Sequence, residues 1–107
     1  EAIVDAYVAT IGIPLAHALV LGKELRAAGI KCEVDTRGAS FKSQLRRANS
    51  LGARVALILG EQEIASNSVQ VKDMDAQSQQ SSARGEVVRI VADRVAVPRP
   101  ARAKEPS

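Results

Sequence analysis

The 107-residue chain has no tryptophan and one residue each of cysteine, histidine, methionine, tyrosine and phenylalanine. A lone Cys32 excludes an internal disulfide framework and a cysteine-based metal site, and a reducing cytosol is the expected setting. His17 sits mid-helix without cysteines or carboxylates at ligand spacing, so no zinc cluster and no Ser-His-Asp or Cys-His set is suggested; it reads as structural or surface. No apolar run approaches the roughly 20 residues that cross a bilayer, and no signal sequence precedes the first strand, which argues against a membrane partner. The turn Thr10-Ile11-Gly12-Ile13-Pro14 contains neither G-x-G-x-x-G nor G-K-[ST], the arrangements that cradle phosphate. Acidic residues are missing from Thr36 to Gly60, while Arg37, Lys42, Arg46, Arg47 and Arg54 fall inside that span. Cations concentrated in this way attract phosphate.

What is present suits one compact domain with a core of valine, isoleucine, leucine and alanine. The formal charge is +3. The segment 98–107 carries Arg99, Arg102 and Lys104 against Glu105, which leaves the remainder nearly neutral with a local basic patch. Residues 1–97 are expected to form the domain and 98–107 a disordered basic tail of Pro, Arg and Ala. A chain that opens on Glu1 is expected to be a piece of a longer protein.

Ile3 to Ala9 reads as a strand, after which Pro14 suits the first turn of a helix. Leu15, Leu19, Gly22, Leu25 and Arg26 are spaced as an inward stripe, with Gly29 at the C-terminal cap. Lys31 to Asp35 reads as a short second strand. Ser40 is placed to cap the next helix, whose Phe41, Leu45 and Ala48 face inward while Lys42, Arg46 and Asn49 share the wetter side. Gly52 ends that helix. Val55 to Leu59 is an unbroken apolar run, expected as a central strand covered on both faces. The order βαβαβ implies parallel pairing through right-handed crossovers. Glu61 to Ser66 then reads as a helical turn, Ser68 to Met74 as a half-buried strand, Asp75-Ala76 as a turn and Gln77 to Ser82 as a polar edge strand. Gly85 to Val97 places Val87, Val88, Val91 and Val95 on a final helical stripe. The expected fold class is α/β, three-layer, with a mixed sheet of about five strands flanked by helices.

Three motifs, ELRAAGIKCEVD at Glu24 to Asp35, SFKSQLRRANSLGARVALILGEQE at Ser40 to Glu63 and VQVKDM at Val69 to Met74, recur together and in this order. In them the chain resembles the C-terminal anticodon-binding domain of class IIa aminoacyl-tRNA synthetases, in the histidyl branch, over roughly residues 1–97. Asn67 stands where that family usually has a turn glycine, and Ala76-Gln77-Ser78-Gln79 replaces its usual Thr-Gly-Glu-Gln hairpin. Asparagine tolerates the left-handed conformation better than most residues.

The resemblance implies that the domain holds the anticodon stem-loop of the histidine tRNA for a ligase. ATP, histidine and magnesium would belong to an absent catalytic domain, on which homodimerisation would mainly rest, and no cofactor is expected in this one. By the family pattern Arg37, Gly38, Arg46, Glu63 and Lys72 approach the anticodon, and Lys42 joins them as a phosphate contact. Glu63 can accept from exocyclic base amino groups, Arg46 and Lys72 can donate to base carbonyls or phosphates, and Gly38 lets backbone come close to a nucleotide. Blander roles remain open from the residues alone. Lys42 and Arg46 read more readily as solvated charges, Glu63 as a helix cap or a partner of Lys72, and Lys72 as protection for a sheet edge. Phe41 fits core packing better than base stacking, and Cys32 fits a small buried apolar role. Two rivals carry other functions: a flavodoxin-like ligand-binding domain, or a synthetase-like RNA-sensing or accessory part of a regulatory protein.

Overall fold

The computed structural model describes residues 2–99; Glu1 and residues 100–107, and with them most of the expected tail, lie outside the described residues. The elements are β1 (Ala6–Ile11), α1 (Leu15–Ala27), β2 (Cys32–Val34), α2 (Phe41–Ser50), β3 (Val55–Gly60), α3 (Glu61–Ser66), β4 (Ser68–Asp73), β5 (Ser78–Ala83), a single 3-10 turn (Arg84–Glu86) and α4 (Val87–Ala96). They build one five-stranded sheet in the order β2-β1-β3-β4-β5. The first three strands are parallel, with Val8 opposite both Val34 and Leu57. Antiparallel β4 and β5 extend the other side, where Leu57 faces Val71 and Val71 faces Gln80. This is the expected α/β class with a mixed sheet.

Strand alternation splits the core into two layers. Ala6, Val8, Val55, Leu57, Leu59, Val69 and Val71 point to one face, where α1 packs through Ala18, Leu21 and Leu25 and α4 through Val87 and Val91. Tyr7, Ala9, Ala56 and Ile58 point to the other, where α2 packs through Ala48, with Phe41 and Leu45 against the same cluster. Every residue of β3 is buried, as a strand covered on both faces requires.

Four expectations are corrected. The first strand begins three residues later than read, and Ile3 is exposed. Along α1 the inward residues are Ala18, Leu21, Gly22 and Leu25, whereas Leu15, Leu19 and Arg26 face solvent. The leucine spacing misled because small residues set this contact: a Cβ on Gly22 would stand 2.7 Å from Val34 Cγ2. The last helix starts at Val87 behind the 3-10 turn, not at Gly85. In the final hairpin the strand runs Ser78–Ala83, and the left-handed residue of its turn is Gln77, with φ 59°. Asp73 compensates there, its Oδ1 accepting from the backbone N–H groups of Asp75 and Ala76, both at 2.9 Å.

Helix ends follow the sequence signals. Ser40 Oγ accepts from Ser43 N at 3.2 Å. Gly29 and Gly52 each follow a helix with positive φ, and the bonds Ile30 N to Leu25 O and Ala53 N to Ala48 O complete Schellman closures. Asn67 ends α3 in the left-handed region, with φ 54° and ψ 49°.

Candidate nucleic-acid interface

The connections from β1 run to α1 on one face of the sheet, and those from β2 to α2 on the other, so the order reverses between β1 and β3. Ligands of open α/β sheets bind outside the carboxyl ends of strands at such a point. Here those ends are Ile11 and Gly60, which pair directly. The loop after β2 and the start of α3 flank them and carry Arg37, Gly38 and Glu63.

That loop is tied at its base. Asp35 Oδ2 accepts from Ala39 N at 3.1 Å, and Gln44 Nε2 donates to Ala39 O at 2.9 Å and to Thr10 O at 2.8 Å. Gln44 Oε1 accepts in turn from Thr10 N at 2.9 Å. One buried amide thus joins the end of β1, the β2–α2 loop and α2. Sequence reasoning missed Gln44; the available signal was a glutamine beside the Phe41, Leu45, Ala48 stripe. Gly38, at φ +69°, supplies the left-handed step between the ties. Arg37 is exposed and its Nε stands 3.7 Å from Asp35 Oδ1. Beneath this loop lies a cleft of ≈ 390 Å³ lined by Glu33, Val34, Asp35, Thr36, Arg37 and Arg47.

The five cations of the acid-free span divide into two kinds. Arg54 is buried and donates to Val97 O, and Arg47 is paired with Glu33 across to β2, which raises its pKa. These two are structural. Lys42 and Arg46 are exposed on α2, and Lys72 is half-buried on β4. Among the described residues none of these three has an ion-pair partner. At 3.6 residues per turn Lys42 and Arg47 lie on opposite flanks of α2. Since Arg47 leans over β2, Lys42 leans toward β4. Lys72 pairs with Ala56 in register and therefore sits on the same sheet face as α2.

Glu63 occupies the third position of α3. Its Oε1 accepts from Gly60 N at 2.9 Å, a helix-capping bond, while Oε2 stands 3.5 Å from Gln70 Nε2. The pairing with Lys72 left open by the sequence is not among the ion pairs found, and the capping alternative is present. One carboxylate oxygen holds the helix start and the other stands beside Gln70 of β4. Elsewhere, His17 is exposed on α1, and Cys32 is half-buried with its Sγ 3.6 Å from Gly22 O and its pKa pushed up by burial. Among the described residues no cluster of His, Cys, Asp or Glu could hold a metal ion, and no helix is long and apolar enough to cross a membrane.

A parallel-then-antiparallel α/β sheet, an exposed loop beside its reversal point and, along one helix, cations without an ion-pair partner among the described residues are features suited to a phosphate-bearing ligand. The family model for the anticodon binding domain matches residues 5–94, and the chain belongs to that family. It is 47% identical over 78 residues to a histidine–tRNA ligase of Sorangium cellulosum, and 43% identical over 76 residues to one of Clostridium botulinum. Those matches take in 73% and 70% of this chain but only 18% of each ligase. Among solved structures, apo histidyl-tRNA synthetase of S. aureus superposes with a TM-score of 0.78 at 28% identity, over 85% of this chain and 24% of that one. Histidyl-tRNA synthetase of Nostoc sp. PCC 7120 gives 0.81 at 20% identity, over 88% and 23%, a likeness of fold.

Proposed function

We propose that this chain is the anticodon-binding part of a histidine–tRNA ligase and that it holds the anticodon stem-loop of the histidine tRNA. The observation that carries the reading is a tied glycine-bearing loop and a capping carboxylate at the carboxyl ends of β1 and β3, together with three cations that have no ion-pair partner among the described residues, Lys42 and Arg46 on α2 and Lys72 on the sheet face that α2 packs against. The names of the relatives supply the amino acid. In this reading Lys42, Arg46 and Lys72 hold phosphates or base carbonyls. Arg37 and the backbone at Gly38 close on a splayed nucleotide, and Glu63 Oε2 accepts from a base amino group.

The chemistry of charging, with ATP, histidine and magnesium, belongs to the remaining four-fifths or so of the ligase. So does most of the dimer contact, and the cytoplasm is the compartment for such an enzyme. Nothing in this domain is catalytic. The anticodon-binding unit is read as residues 1–97, with Arg99 beyond it bound back to Asp75 and Gly52.

The test is a titration with two RNA stem-loops, one carrying the histidine anticodon and one a scrambled loop, at two salt concentrations. Tighter binding of the histidine loop at both salts is expected, and equal binding that vanishes with salt would refute anticodon reading. Glu63→Ala is expected to cut the preference by roughly tenfold, on the scale of a lost charged hydrogen bond. Gly60 N loses its acceptor once the carboxylate is gone, so the variant's melting point is measured in parallel.

A further inference from the structure

The helix α2 covers its sheet face only as far as β3. Its cluster takes Tyr7, Ala9, Ala56 and Ile58 from the strands, and beyond Ile58 the same face continues onto β4 and β5 with no helix above it among the described residues. Register fixes which side chains stand there: Gln70 opposite Ile58 and Ser81, Lys72 opposite Ala56 and Gln79. Gln79 and Ser81 are exposed, and Gln70 and Lys72 half-buried. The uncovered area is polar, with side-chain amides at its centre, cations on Lys72 and the near flank of α2, and the Glu63 carboxylate at one end.

Gln70 is the joint of this surface. Its Nε2 stands 3.5 Å from Glu63 Oε2, and its Oε1 is 3.5 Å from Gln79 Nε2. Both contacts are at the outer limit of a hydrogen bond, so they orient the amide without saturating it. A primary amide has two N–H donors and two acceptor positions. One of each points along the Glu63–Gln70–Gln79 row, and one of each is left for a planar partner with adjacent acceptor and donor, the pattern on the exposed edge of an unpaired base. A strand whose only task was to close a sheet edge would be served better by β-branched or charged residues than by this row of amides.

We propose that Gln70 is a specificity-determining residue, contacting a loop base on the uncovered β4–β5 face and holding the free oxygen of Glu63 toward the same base. The inference rests on the anticodon-binding reading above and adds to it a residue and a surface that the basic patch did not indicate. Lys72 beside it supplies charge without discrimination, whereas Gln70 supplies discrimination without charge.

The experiment compares the 107-residue chain with Gln70→Val, titrating each with the histidine-anticodon stem-loop and the scrambled loop, alongside urea unfolding. Valine suits a strand, so the unfolding midpoint is expected to hold. The affinity ratio between the two loops should fall about five- to tenfold, the effect of losing one or two neutral hydrogen bonds. Affinity for the scrambled loop and the salt slope should stay as they were. An unchanged ratio overturns the inference, as does an equal loss on both loops. If the midpoint drops, Gln70→Thr is judged by the same ratio. Failure of the unaltered chain itself to prefer the histidine loop overturns the anticodon reading and this inference together, whereas preference retained in the variant removes this inference alone.

Discussion

Tyr7 lies near the start of β1, fully buried, with its hydroxyl making no hydrogen bond among the described residues. Burial raises its pKa first, and the carboxylates of Asp35 and Glu33 add to that, outweighing Arg37 and Arg47. A phenol whose folded pKa is raised contributes stability that is whole below the unfolded pKa of about 10 and is lost as pH climbs through the folded value. The same direction holds for Cys32 from about pH 9. Tyr7→Phe therefore should flatten the alkaline loss attributable to the phenol while leaving that of Cys32. At pH 7 it should be neutral or stabilising by up to about 1 kcal/mol, since it deletes an unpaired buried hydroxyl. Urea midpoints at neutral pH and above about pH 10 check this, and a variant as sensitive to alkali as the parent would refute it. Gln44 shows the opposite case at the same scale: a buried polar group with three bonds, which anchors the loop ahead of α2 to the end of β1.

At the scale of elements, α2 has two jobs separated by its circumference. Ala48, with Phe41 and Leu45, binds it to the sheet, and Arg47 ties one flank to β2. Lys42 and Arg46 are left over, which is why they are offered to phosphate. Lys42→Ala is expected to weaken binding of histidine and scrambled loops equally and to reduce the salt slope by about 0.7, the value for one single-strand phosphate contact. Stem-loop titrations across a salt series measure both, and a change in preference between loops would place Lys42 at a base instead. The helices on the other face behave differently. In α1 the leucine spacing suggested Leu15 and Leu19 as core, yet Ala18 and Gly22 face inward, because Val34 leaves no room for a larger side chain at Gly22. Periodicity locates a helix but does not choose between two neighbouring stripes when small residues decide the approach distance.

Across the whole molecule, three arginines join the C-terminal segment to the far end of the sheet. Arg94 pairs with Asp73, Arg54 donates to Val97 O, and Arg99 binds both oxygens of Asp75, at 2.6 and 2.8 Å, and Gly52 O at 2.7 Å. These contacts span 21 to 47 residues of sequence and link α4 and the segment after it to the end of β4, the turn that follows it and the loop after α2. Arg99→Ala is expected to lower stability by about 1–2 kcal/mol, most of it from hydrogen bonds to a carboxylate and to buried backbone. Urea unfolding should show a lower midpoint with the slope unchanged; an unmoved midpoint would make the contact incidental.

The sequence by itself determined the order of elements, the buried β3, the caps at Ser40, Gly29 and Gly52, and the family. Each of these is written in local patterns: hydrophobic period, turn chemistry and motif order. It also marked the basic span from Arg37 to Arg54. Tertiary structure alone decided which of those cations are free, because Arg47 and Arg54 find their partners in Glu33 and Val97, far away in sequence. It likewise decided that Gln44 is a tie, that Gln70 stands beside Glu63, and that among the described residues no helix covers one face of β4 and β5. Pairing between distant residues depends on strand register and on where each helix lies across the sheet, and no local pattern records either.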